Sequence, residues 1–295
     1  MSSPAADVPA KRTIAPDDPV PGCKNIILVM SGKGGVGKST VATNLALALS
    51  RMGTRVGLLD ADMYGPSIPT MFGITGRPLS DDKKIQPLQR FGVKLMSIGF
   101  LLEDEKAAVV WRGPMLHGAL LQFLRDVDWG ELDYLILDLP PGTGDIALSL
   151  SQQLRATGAL IVTTPQEVAL QDVYKSVAMA TKVGIPILGV IENESYFVCD
   201  GCSKRHEIFG SGGGQKVADF AKAPLIGQIP LDTKVREWGD AGTPVVQASP
   251  GSEVARAIVS AAERLVECLQ SLNTDANPLT IDRSGGSNRH LPVTR

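Results

Sequence analysis

The stretch NIILVMSGKGGVGKSTVATNLALALS, residues 25–50, reads as an apolar strand, a glycine-rich turn and a helix in immediate succession. Aliphatic and β-branched residues at 26–30 suit a strand covered on both faces, and the Ala- and Leu-rich run at 39–52 suits a helix that Gly53 stops. Between them Gly32-x4-Gly37-Lys38-Ser39 has the spacing of a phosphate-binding loop. Its glycines let backbone amides face a phosphate, Lys38 neutralises the phosphate charge, and the Ser39 hydroxyl suits magnesium. A chance glycine-rich turn would need neither the strand nor the helix. The nucleotide-contacting candidates are therefore Gly32, Lys33, Gly34, Gly35, Val36, Gly37, Lys38, Ser39 and Thr40. Lys33 is not required by the loop and is either solvated or aimed at a second phosphate.

Outward from the loop, short apolar runs alternate with longer amphipathic ones. Strands are predicted at 26–30, 56–59, 93–98, 134–137, 159–162, 187–191 and 225–229, with flanking helices that include 39–52, 168–183 and 252–272. That alternation predicts an α/β fold: a doubly wound, mostly parallel sheet with helices on both faces, with ligands gathered beyond the carboxyl ends of the strands. The chain is expected to divide into a flexible arm at 1–22, one principal domain at 23–272 and a flexible tail at 273–295.

Two further segments place carboxylates at strand ends. GLLDADMYGPSIP (57–69) puts Asp60 and Asp62 at the end of the second strand, and DYLILDLPPGTGD (133–145) puts Asp138 at the end of another. Beside a phosphate loop, Asp62 and Asp138 suggest magnesium binding and water positioning, whereas Asp145 is as readily a capping or surface residue. Pro140-Pro141-Gly142 makes a rigid turn whose glycine amide can approach a terminal phosphate.

The chain has 295 residues and a net charge of −2, which gives no broad electrostatic grip on nucleic acid or an anionic membrane. No apolar run is long enough to span a bilayer, and the first residues lack an apolar signal region, so a cytoplasmic location is expected. Four cysteines are too few and too scattered for a disulfide scaffold. The close pair Cys199 and Cys202, in the polar segment YFVCDGCSKRHEIFG (196–210), can converge on one soft metal centre. One such pair is half of a four-thiolate set, and a two-fold dimer would supply the other half. A structural zinc, a redox dithiol and two ordinary reduced cysteines are the competing readings. His206 reads as a loop histidine, His117 as a helix residue, Cys23 as a small apolar residue and Cys268 as a core residue.

Together these segments resemble the Mrp-type iron-sulfur cluster carrier ATPases, a branch of the deviant Walker A, MinD-like group of P-loop ATPases. The resemblance runs from about 21 to 246 and includes WRGPM (111–115), TTPQEVAL (163–170) and IPLDTKVRE (229–237). It implies binding and slow hydrolysis of ATP with magnesium, a homodimer, a 4Fe-4S cluster on Cys199 and Cys202, and apo iron-sulfur proteins as recipients. In this group Lys33 would reach across the dimer to the partner's nucleotide. Lys38 and Asp62 would act in hydrolysis, with Asp62 positioning water; Ser39 and Asp138 would hold magnesium; and Asn193 and Asp232 would lie near the adenine. No nucleic-acid or membrane partner is implied.

The chain departs from the pattern with Glu194 in place of the usual Met, which is expected to add negative charge near the cluster, and with Asp200-Gly201 inside the cysteine pair. The small N-terminal domain of longer members is expected to be absent. Two other functions share the loop and Lys33: a MinD- or ParA-like positioning ATPase, and a zinc-stapled regulatory ATPase. The first predicts a C-terminal amphipathic membrane helix, for which TIDRSGGSNRHLPVTR (280–295) has no apolar face.

Overall fold

The computed structural model describes residues 14, 17–63, 65–81, 84–101, 113–142, 154–199 and 201–274. Most of the expected arm, the tail beyond 274, Trp111, Arg112, Asp145 and Asp200 lie outside the described residues.

The chain forms strands β1 (Cys23–Ser31), β2 (Val56–Asp60), β3 (Leu88–Arg90), β4 (Val93–Ser97), β5 (Leu132–Asp138), β6 (Gly158–Thr163), β7 (Ile187–Glu192), β8 (Phe197–Val198), β9 (Arg205–His206) and β10 (Leu225–Gln228). Among the described residues the α-helices are α1 (Lys38–Arg51), α2 (Ile68–Met71), α3 (Gly113–Arg125), α4 (Glu167–Lys182), α5 (Gly213–Ala221), α6 (Thr233–Asp240), α7 (Val245–Ala248) and α8 (Glu253–Thr274). The main sheet has eight strands in the order β10-β7-β6-β1-β5-β2-β4-β3, parallel except for the antiparallel pairing of β3 with β4. The doubly wound, mostly parallel sheet expected from the sequence is present.

Alternation along β1 explains its central position. Ile27 and Val29 enter one core with Leu45 and Leu49 of α1 and Ile258 and Leu265 of α8. Ile26, Leu28 and Met30 enter the opposite core with Leu124 of α3 and Val173 and Val177 of α4. Each such side chain contributes about 1.5–3 kcal/mol on burial, so only a two-sided covering satisfies the whole strand. Since β1 lies between β5 and β6, its carboxyl end opens between two strands reached by opposite crossovers, where a doubly wound sheet holds its ligand.

Three features differ from expectation. β3 reads LQR and is too short and polar to show a strand period, yet it pairs along the sheet edge through Gln89 and Lys94. Val20, inside the expected arm, is buried, and the Cys23 amide bonds to its carbonyl at 3.2 Å. The last helix continues to Thr274, past the expected start of the tail at 273. Among the described residues no helix is long and apolar enough to cross a membrane, and α8 turns Val254, Ile258, Leu265 and Leu269 into the core.

Candidate functional site

The phosphate loop begins where β1 ends at Ser31 and closes where α1 begins at Lys38. Gly37 caps α1 with φ 76°, a left-handed conformation that favours glycine. The buried Lys38 Nζ donates to Asp138 Oδ1 at 2.7 Å and stands 3.6 Å from Asp62 Oδ2. Ser39 Oγ donates to Asp138 Oδ2 at 2.6 Å. Burial pushes the Asp138 carboxyl above the usual carboxylate range, while the Lys38 ammonium and the Ser39 hydroxyl act against that push. The structure therefore brings Lys38, Ser39, Asp62 and Asp138 together from three separate segments.

A residue without an assigned role in the sequence lies behind them. Asp60 is fully buried, opposite Asp138 in the β2–β5 register and opposite Ser97 in the β2–β4 register. Burial first, and the Asp138 charge second, push its carboxyl up to about 8. It accepts from Ser97 Oγ at 3.0 Å, from the Asp62 amide at 3.2 Å and from the Ile68 amide at 3.3 Å. Asp60 thus fastens both ends of the segment that presents Asp62. The sequence signal was available in Asp-Ala-Asp, since the first carboxylate closes an apolar strand run and the second lies two residues beyond it.

A cavity of about 220 Å³ is lined by Lys33, Gly34, Lys38, Ser39, Asp62 and Pro141. It shares Gly37 and Thr40 with a larger one of about 540 Å³ that Asn44, Asn193, Leu231 and Asp232 also line. A narrow charged pocket opening into a wider compartment matches the shape of a nucleotide, with phosphates in the first and base and ribose in the second. Asn193 and Asp232 both reach the wider compartment, but each has a structural commitment. Asn193 Nδ2 donates to the Val36 carbonyl at 2.9 Å, and Asp232 caps α6 by accepting from the Lys234 amide at 2.8 Å. The Gly142 amide, expected to be available to a phosphate, donates to the Ser31 carbonyl at 3.2 Å.

The cysteine pair stands apart from this cluster. The segment expected to be a polar loop is a small hairpin, with Cys199 and Cys202 between β8 and β9. The Ser203 amide donates to the Cys199 carbonyl at 2.8 Å, and the Cys199 amide donates to the Lys204 carbonyl at 3.0 Å. Cys199 is half-buried and Cys202 exposed. Among the described residues no three His, Cys, Asp or Glu side chains gather into a metal site. Cys23 is fully buried, donates to the Asn25 carbonyl at 3.2 Å and is no ligand candidate. His206 is exposed on β9, His117 lies in α3, and Cys268 is half-buried at the core margin. Glu194 lines the larger cavity, with its carboxyl pushed up by burial.

Comparisons with known proteins agree on the family. A family model described as ParA, NUBPL iron-transfer P-loop NTPase, matches residues 22–266. An iron-sulfur cluster carrier protein of Aquifex aeolicus is 53% identical over 257 residues, covering 85% of this chain and 70% of the relative. Among solved structures, the nucleotide-binding protein of Archaeoglobus fulgidus in complex with ADP has a TM-score of 0.66 at 43% identity, covering 75% of this chain and 87% of its own. The cell division ATPase MinD of Pyrococcus furiosus follows at a TM-score of 0.60 and 25% identity, covering 82% of this chain and 98% of its own.

Proposed function

Because this chain belongs to the family of NUBPL iron-transfer P-loop NTPases, we propose that it is an ATP-hydrolysing carrier that holds a 4Fe-4S cluster between two copies and passes it to apoproteins. The observation that carries this reading is the placement of Cys199 and Cys202 in the turn of one small hairpin outside the main sheet, in a chain whose phosphate loop already gathers Lys38, Ser39 and Asp138. Such a pair is half of a four-thiolate set. A second copy related by a two-fold axis supplies the missing thiolates.

In the nucleotide half, Lys38 neutralises phosphate charge and Asp62 orients the attacking water. Ser39 and Asp138 offer adjacent hard oxygen donors, which fit magnesium, and would hold it there. When bound, that ion neutralises charge on the phosphates. Lys33 lines the phosphate pocket from the loop and, in a face-to-face dimer, reaches the partner's nucleotide, which makes hydrolysis slow and dependent on dimerisation. Asn193 and Asp232 border the base. The compartment is the cytoplasm, whose reducing poise keeps the exposed Cys202 available.

The test is iron, acid-labile sulfide and zinc per monomer on protein purified without oxygen, beside the Cys199→Ser/Cys202→Ser double variant. About two irons and two sulfides per monomer, absent from the variant, are expected for one bridging cluster. About half a zinc per monomer with no sulfide would replace the cluster by a structural zinc.

A further inference from the structure

Between β7 and α5 the chain leaves the sheet and returns, and this excursion carries Cys199 and Cys202. Its two roots meet at one side chain. Glu192, the last residue of β7 and fully buried, accepts from the Ser195 hydroxyl at 2.6 Å, from Gln228 Nε2 at 2.9 Å and from the Gly214 backbone amide near the start of α5. Three donors satisfy a carboxylate that burial would otherwise penalise, and they tie the outgoing chain to the returning one. The approach at the return is close. A Cβ on Gly214 would lie 2.7 Å from the Glu192 Cβ.

The next residue engages the phosphate loop. Asn193 Nδ2 donates to the Val36 carbonyl at 2.9 Å, and the Asn193 amide donates to the Thr163 carbonyl of β6 at 2.8 Å. The side chain lies so close that a Cβ on Gly37 would meet Asn193 Nδ2 at 2.2 Å. Beyond Ser195, the Leu231 amide donates to the Tyr196 carbonyl at 2.7 Å, Phe197 bridges to Leu231, and the cysteine hairpin begins. Hydrogen bonds and a few covalent steps therefore run from Val36 to Cys199. One residue of the adjacent pair grips the loop, and the other grips both roots of the hairpin.

We propose that Glu192 is a positioning residue for the cysteine pair: it holds the roots of the excursion so that a shift of Val36 and Gly37 on nucleotide binding, transmitted by Asn193, reaches Cys199 and Cys202. This rests on the carrier reading only for the identity of what the cysteines hold. If Glu192 releases Ser195 and Gly214, the roots become compliant and absorb the movement before it reaches the hairpin.

The experiment measures alkylation rates of Cys199 and Cys202 by iodoacetamide, resolved by peptide mass spectrometry, on reduced metal-free protein. Rates are compared without nucleotide and with saturating non-hydrolysable ATP analogue, with occupancy verified for each variant. In the wild type the nucleotide changes the rate at this pair about fivefold or more. Ser195→Ala lowers that ratio, and Glu192→Gln brings it close to one. A wild-type ratio in fully occupied Glu192→Gln protein overturns the proposal, as does a ratio of one in the wild type. Should Glu192→Gln fail to fold, folded Ser195→Ala decides: a lowered ratio supports the proposal and an unchanged ratio overturns it. Iron and sulfide analysis of the wild type tests the carrier reading separately, and its failure would leave the alkylation ratios standing.

Discussion

Lys38 and Ser39, the first residues of a 14-residue helix that follows a 9-residue strand, bond to Asp138 at 2.7 and 2.6 Å. Cys199 and Cys202 stand instead between strands of two residues each, outside the main sheet. The phosphate loop is held by the deepest part of the fold, so opening it approaches global unfolding, whereas the hairpin opens locally at lower cost. Phosphoryl chemistry depends on charges fixed in advance. In the carrier role proposed above a cluster must also be released, and a lightly built hairpin suits release.

Four measurements test this contrast, beginning with the largest expected effect. Lys38→Ala lowers ATP turnover by about 10²–10³-fold. It also leaves Asp138 buried without its cation, at a cost of about 3–5 kcal/mol in denaturant unfolding. Turnover near wild type would show that the interlocked cluster is not the hydrolytic site. The Cys199→Ser/Cys202→Ser variant loses its cluster completely, while its stability stays within about 0.5 kcal/mol and its nucleotide affinity is unchanged. A marked fall in melting temperature would mean that the hairpin supports the domain after all.

Two glycine substitutions give the next step. Gly37→Ala forces a side chain into a left-handed conformation against Asn193 and costs about 1–3 kcal/mol. Gly201→Ala meets only the Cys199 Sγ at 3.9 Å, an ordinary contact, and stays within about 0.5 kcal/mol. Equal losses in urea titrations would remove the distinction between the two regions.

The fourth measurement is of pH dependence. The Asp60 carboxyl is raised from 3.8 to about 8 in the folded protein, so the native state retains a proton that the unfolded chain gives up. Its contribution is full below the unfolded value and is lost as pH rises through the folded one. Melting temperature should therefore fall between about pH 4 and pH 8, and Asp60→Asn should flatten that fall by about 2–4 °C for each kcal/mol involved. An identical slope in the variant would assign the dependence to another group.

The phosphate region was readable in advance because its physics is local: an apolar strand, the glycine spacing and Lys38 are consecutive in the chain. The buried strands β5, β6 and β7 were legible for the same reason, as uniformly apolar runs. β3 was not, because an edge strand reading LQR carries no apolar period. The hairpin strands escaped notice because two residues cannot show alternation. Asp60 and Glu192 were missed as anchors since their partners Ser97 and Gly214 lie far along the chain, and only register and packing bring them together. That Glu194 lines the larger cavity was not legible either, because the rest of that wall comes from distant segments such as Asn44 and Asp232.

The central placement of β1 also sets an order of events during synthesis. Its neighbours are β5 and β6, so Cys23 meets Leu132, and Ser31 meets Val162, only after more than a hundred further residues have been made. Until then the strand that roots the phosphate loop has both edges unpaired, and contacts of such separation form slowly. A ribosome-bound chain ending before β6 leaves one edge of β1 open to a chaperone or to another nascent chain.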